Sequence, residues 1–352
     1  MKTKHLIISI IILAGLLSAC SGAAFTPSGW PGLTADQNTA YLASAQFVYA
    51  VDLSNGSQKW RFPEKASSSV TFYSDPGVTP DKQIIVGSYD KILYSLNTDG
   101  KQTWTNKGND HFIAGPLIMD QAIYAPNADK NLYAYDLKGN LLWQFKTNGP
   151  IWAMPATDKA CGCLYVASMD HFIYSISTQN GSQNWKTDLG SALTGTPAVG
   201  TDGKLYDGNY NSEMIGLNAS DGKINWRTPL KGRTWSGPAV DGDRIYFGDL
   251  NGNFYALQTS DGKILWQIQA DGGIFGTPLV TKDTIYFATE AGSVYAVDKT
   301  GKVVWNLPVG GKIYTAPVSS GDMILVAPTG EQAALIALNT GGTQRWSFTP
   351  PK

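Results

Sequence analysis

The sequence predicts an all-β fold, an eight-bladed β-propeller of four-stranded antiparallel blades, and three observations carry that prediction. One unit recurs eight times, opening at a proline (Pro31, Pro76, Pro116, Pro155, Pro197, Pro238, Pro278, Pro317) and closing at a tryptophan 27 to 30 residues later (Trp60, Trp104, Trp143, Trp185, Trp226, Trp266, Trp305, Trp346). A glycine stands four residues before every one of those tryptophans: Gly56, Gly100, Gly139, Gly181, Gly222, Gly262, Gly301 and Gly342. Between these marks run short apolar or alternating segments, rich in β-branched and aromatic residues and too short for helices. A blade of four such strands cannot cover both its faces alone, and radial stacking at a period of 39 to 45 residues does so.

At the start of the chain, Lys2, Lys4 and His5 precede an apolar run from Leu6 to Leu17, which has the length of a signal-peptide core and is too short to span a bilayer. Leu17-Ser18-Ala19-Cys20 resembles the bacterial lipobox. Residues 1–19 therefore read as a signal peptide, Cys20 as the lipidation site, and residues 20–29 as a short lipidated tether. Two or three acyl chains hold a protein stably at a membrane. The expected location is the cell envelope, anchored to the outer face of the cytoplasmic membrane or, as Ser21 favours in a two-membrane host, to the outer membrane. No break in composition follows, so residues 30–352 read as one propeller.

The repeat Thr277 to Trp305 shows the unit most plainly, with Thr284 to Ala288 and Ser293 to Val297 as its second and third strands. Asn55-Gly56, Asp99-Gly100, Asn180-Gly181, Asp221-Gly222 and Asp261-Gly262 predict a tight hairpin from the third strand to the fourth, since glycine adopts positive φ freely. The middle of each third strand is small (Ala50, Ser95, Ala134, Ser175, Gly216, Ala256, Ala296, Ala337). Small residues facing large tryptophans are the expected lock between adjacent sheets, which makes the eight tryptophans structural docking residues.

If strands run up and down from the axis outward, the loops before the prolines and those between second and third strands share one face, here termed the upper face. Twelve residues separate tryptophan from proline in six of seven junctions, and sixteen separate Trp60 from Pro76. The loop from Phe62 to Ser74 is thus a candidate contact element. Three residues before the prolines stand Tyr73, Ile113, Trp152, Thr194, Trp235, Phe275 and Tyr314, with Trp30 just before Pro31. This mostly aromatic ring either plugs the channel or offers a stacking surface, and the two roles are compatible. His111, Arg233 and Lys312, five before their prolines, join Tyr73, Trp152, Trp235, Phe275 and Tyr314 as upper-face binding candidates. Asp75, Asp110, Asp170, Glu213, Asp249, Asp271, Glu290 and Glu331 add acids to the same loops, and His111 with His171, each after an aspartate, raises the idea of a metal site.

Composition bounds the function. Charged residues make up 16% of the chain and the net charge is −1, with no basic stripe for nucleic acid. Besides Cys20 only Cys161 and Cys163 occur, and they read equally as a local turn disulfide or as free thiols.

Ala50-x-Asp52-x-x-x-Gly56-x-x-x-Trp60 and Ala296-x-Asp298-x-Thr300-Gly301-x-x-x-Trp305 resemble the tryptophan-docking motif of PQQ-like (quinoprotein-type) propeller repeats. That resemblance covers nearly all of the expected mature chain and implies one of two functions. Quinoprotein dehydrogenases hold pyrroloquinoline quinone and calcium, whereas BamB-like lipoproteins are non-catalytic parts of outer-membrane barrel assembly. Nearly insertion-free repeats and separated cysteines depart from the enzymes. The expectation is a non-enzymatic scaffold with a protein partner in the envelope, a lipid anchor and no cofactor. A quinone-dependent oxidoreductase or a small-ligand, carbohydrate-binding propeller is the alternative.

Overall fold

A computed structural model describes residues 30–351, and the expected signal peptide, Cys20 and tether lie outside the described residues. Eight four-stranded antiparallel sheets succeed one another, each with its strands in chain order. Blades one to eight comprise residues 32–62, 77–107, 117–146, 156–188, 198–229, 239–269, 279–308 and 318–348. Second and third strands are buried, as Thr284–Ala288 and Ser293–Asp298 illustrate, while the outer strand Val303–Pro308 alternates between exposed and half-buried. The core is accordingly divided into clusters between neighbouring blades. Between blades six and seven, for example, the Phe254 and Phe287 rings stack at 4.1 Å beside Tyr246, Ile285 and Tyr295.

The turn into the outer strand is wider than the tight hairpin that the sequence suggests. A two-residue type I′ turn needs positive φ at both central residues, and here only the glycine of each pair has it, Gly222 at 72° and Gly262 at 72°. A bulge then shifts the register just after the small third-strand residue, at Gly216/Leu217 and Ala296/Val297 alike. The polar residue that opens the turn caps it. Asp298 Oδ1 accepts from the Thr300 and Lys302 amides at 2.8 and 3.0 Å.

The lock between sheets also differs from the expected one. The small residue is the tryptophan's own cross-strand partner, as in Gly216↔Trp226 and Ala296↔Trp305. Its smallness lets the indole fold over its own blade and reach the next. There Trp226 Nε1 donates to the Thr259 carbonyl at 3.0 Å, and its ring covers Gly262, where an added Cβ would come within 2.4 Å of the indole. All eight tryptophans make this contact, donating to Thr98, Leu137, Thr178, Ala219, Thr259, Lys299, Thr340 and Leu53 in turn at 2.7 to 3.1 Å. Each glycine therefore serves two purposes: it turns its own chain and seats the tryptophan of the preceding blade.

Blade eight closes on blade one without exchanging a strand. Trp346 Nε1 donates to the Leu53 carbonyl at 2.9 Å, and Ser320 Oγ donates to that of Asp36 at 3.2 Å. Leu42, Val51 and Leu53 share a buried cluster with Leu325, Leu335 and Ala337. Blade eight also carries an insertion that the repeat spacing hid. Residues 327–334 link its second and third strands where residues 289–292 suffice in blade seven, and Pro328–Thr329 pairs with Lys312–Ile313 as a small ribbon.

One core position breaks the repeat. Asp207 pairs across to Ile215 in blade five, at the place held by Leu42, Val86, Ala125, Val166, Phe247, Phe287 and Val326 elsewhere. It is fully buried; Oδ1 accepts from the Gly208 amide, and Oδ2 has no partner. Burial pushes its carboxyl well above the ordinary 3.8. The native state then holds a proton that the unfolded state has released, so this group costs stability as pH rises above about 4. Asp207→Val should raise stability at pH 7 by about 2 kcal/mol and flatten the decline between pH 4 and 7 in urea titrations. An unchanged pH profile would refute this account.

Candidate functional site

Before the seven prolines from Pro76 to Pro317 the chain alternates. The residue four positions earlier points between blades and is buried (Phe72, Phe112, Ile151, Leu193, Thr234, Ile274, Ile313), so the next one, three before the proline, turns to the axis. That alternation of an extended chain assembles the ring expected from the sequence. Tyr73, Ile113, Trp152, Thr194, Trp235, Phe275 and Tyr314 line an axial cavity of about 400 Å³.

Trp30 fills much of the ring. It stacks on Tyr314 at 5.0 Å and meets Trp235 and Phe275 edge-on at 4.9 and 5.6 Å, while Trp152 lies 6.5 Å from Trp235. Trp152, Trp235, Phe275 and Tyr314 stay half-exposed around it. The wall holds unpartnered polar atoms, Trp152 Nε1, Ser236 Oγ and Thr315 Oγ1. Asp75 borders the cavity, open to its interior yet hemmed in by protein atoms. It takes a hydrogen bond from the Leu33 amide at 2.8 Å, and desolvation pushes its carboxyl up to about 6.

His111, Arg233 and Lys312 stand outside this ring, each against a residue of the loop between second and third strands. His111 lies flat on Tyr89 at 3.7 Å with Nδ1 at the Tyr89 carbonyl, and Tyr89 in turn adjoins Tyr73 at 5.2 Å. The Arg233 guanidinium sits over Tyr210 at 5.6 Å. Lys312 pairs with Glu290 at 2.8 Å; its hydrogen bond, with one from Tyr314, holds the Glu290 carboxyl below the usual range. Tyr89 and Tyr210 were not anticipated. The signal was their shared place one residue after the polar residue at the end of the second strand, at Ser88-Tyr89 and Asn209-Tyr210, a register that Thr289-Glu290 repeats.

The upper-face acids are mostly spent on local structure. Asp90, Asp129 and Asp170 each accept from a tyrosine hydroxyl four residues on, Tyr94, Tyr133 and Tyr174, at 2.6 Å. Asp271 takes hydroxyls from Thr289 and Ser293, and Glu213 binds Arg227 at 2.8 Å. His171 sits in a left-handed turn at φ 78°. Among the described residues no three His, Cys, Asp or Glu side chains converge as metal ligands. The extra loop after Phe62 ends by bridging blades, with Phe72 buried between Ala45 and Ser88. Its middle, from Glu64, is exposed.

A family model described as "Outer membrane protein assembly factor BamB" matches residues 44–166, 169–274, 234–305 and 271–351. The chain belongs to this PQQ-like BamB family. A Yersinia pestis "Outer membrane protein assembly factor BamB" is 28% identical over 219 residues, 55% of this chain and 55% of that protein. A "Tetrathionate hydrolase" of Acidithiobacillus ferrooxidans is 29% identical over 52% of this chain and 42% of its own. The chain spans about half the length of the curated relatives it matches. The solved structure of BamB from Moraxella catarrhalis superposes with a TM-score of 0.73 at 16% identity, covering 87% of this chain and 94% of that one, which shows the shared fold.

The BamB family's repeat type also serves quinone enzymes, so the fit of that cofactor can be tested on the residues present. It is poor. Calcium would need several oxygen ligands, and most of the upper-face acids are committed to tyrosines, serines and basic partners. The planar quinone would need a flat floor, and Trp30 and Tyr314 already stack on each other there.

Proposed function

We propose that this chain is a non-catalytic, extracytoplasmic binding propeller of the cell envelope, lipid-anchored at Cys20, which docks a protein partner on its upper face during outer-membrane protein assembly. No nucleic acid and no resident cofactor enters this reading. One observation carries it: an aromatic floor, filled by the chain's own Trp30, is surrounded by projecting loop side chains, with Arg233 over Tyr210 and Tyr89 under His111. Half-exposed aromatics beside an arginine are what anchors a protein interface, and the BamB relatives supply the process.

Deleting the gene in its host should lower the amount of folded outer-membrane β-barrel protein, and the wild-type chain should restore it. Arg233→Glu, at an exposed side chain, should leave the melting temperature within about 2 °C and fail to restore. Full rescue by that variant would refute the upper face as the docking surface. A second reading, a carbohydrate or similar small polar ligand in the axial cavity, is favoured by Asp75 and the unpartnered Ser236 and Thr315 hydroxyls. Calorimetric titration with neutral sugars, and with quinone plus calcium, separates these possibilities. Micromolar binding lost in Asp75→Asn would establish the sugar reading.

A further inference from the structure

On the lower face, away from the partner surface proposed above, Cys161 and Cys163 are joined by a disulfide in the turn between the first and second strands of blade four. The turn does not need that bond. The corresponding turns place a left-handed residue at Lys82, Asp120, Gly203, Gly242 and Gly321, as Gly162 does here at φ 61°, and none of them has a cysteine. Nor does the bond staple distant segments, since its sequence separation is 2, and closing so short a loop restricts the unfolded chain little. It also lies open to reagents, because Cys161 is exposed while Cys163 is half-buried at the start of its strand. The two sulfurs differ in surroundings as well. Asn184 Nδ2 points its N–H at Cys163 Sγ from 3.8 Å, whereas Cys161 Sγ approaches the Asp158 carbonyl at 3.6 Å and the Tyr165 hydroxyl at 3.7 Å.

We propose that the Cys161–Cys163 pair is a thiol–disulfide exchange site that accepts two electrons from a dithiol on another extracytoplasmic protein. A thiolate of that dithiol attacks the exposed Cys161 Sγ, and the bond to Cys163 breaks. Its electron pair goes to Cys163 Sγ, where the Asn184 amide stabilises the thiolate until water protonates it. The second thiolate of the partner then attacks its own sulfur in the mixed disulfide, closing the partner's disulfide and releasing Cys161, which is protonated in turn. The partner is oxidised by two electrons and the Cys161–Cys163 pair is reduced by two. The exchange is stoichiometric.

The test mixes the oxidised mature protein with a tenfold excess of a reduced Cys-x-x-Cys peptide, followed by acid quench, alkylation and mass spectrometry. One peptide disulfide should form per protein within minutes, with two alkyl groups on Cys161 and Cys163. In the reverse direction, C163S should capture oxidised glutathione on Cys161 at least tenfold faster than C161S captures it on Cys163. The C161S/C163S double variant should melt within about 3 °C of wild type. A bond still closed after hours, equal capture rates, or a larger fall in Tm would each overturn the proposal, the last by making the disulfide a structural staple.

Discussion

Removing residues 335–352 should unfold the entire ring rather than trim one blade. The deletion takes the third and fourth strands of blade eight, Leu335–Asn339 and Gln344–Phe348. With them go both joints of that blade. Trp305 loses its acceptor at Thr340 and its seat on Gly342, and blade one loses Trp346 and the apolar partners of Leu42 and Val51. Met323–Val326 is left as an unpaired edge beside an opened core. Stacked repeats draw stability from both neighbours, so the loss propagates around the ring. Calorimetry should show no cooperative transition in the truncated chain; a melt near that of the full chain would mean that the blades are independent.

Trp226→Ala should cost about 3 kcal/mol in chemical denaturation. The figure sits low in the range for a tryptophan because the indole is half-exposed, yet it includes the 3.0 Å bond to Thr259 and the stack on Gly262. Gly262→Ala attacks the same joint from the other side. It forces a Cβ into the indole and a non-glycine residue into φ 72°. The two changes should therefore be strongly non-additive, the double variant being less destabilised than the sum by about 1 kcal/mol or more, since removing the indole vacates the space that the new methyl needs. Additivity would mean that the glycine serves only its own turn.

That joint also marks the boundary of what the sequence discloses. The eight Gly-x-x-x-Trp pairs, the strand lengths and the blade count are legible because they repeat along the chain, and the ring of residues three before each proline is legible for the same reason. Which blade a tryptophan rests on is not, because Gly262 lies 36 positions from Trp226 and the hairpin alone already accounts for it. The same limit hid the stack of His111 on Tyr89, whose loops meet only after blades two and three are side by side. Upper-face acids looked available in one dimension. The Asp-x-x-x-Tyr spacing of Asp170, repeated at Asp90 and Asp129, was present as a sign that it is spoken for, but it becomes a hydrogen bond only once the turn brings residue and hydroxyl together. Asp207 stood in plain view in a strand, and its cost appears only with burial on every side.

The joint between blades eight and one is built like the other seven, from an indole, a carbonyl and a glycine, and no strand crosses it. The ring therefore has no privileged starting blade. Where the chain is opened is a choice that packing does not make, and any of the connections from an outer strand to the next inner one could serve as the break. A chain permuted to begin at Pro155, with its old ends spliced, would meet the same eight joints in a different order. Internal duplication by whole units leaves each contact intact except at the point of insertion, so the number of blades is fixed by closure of the circle rather than by any one of them.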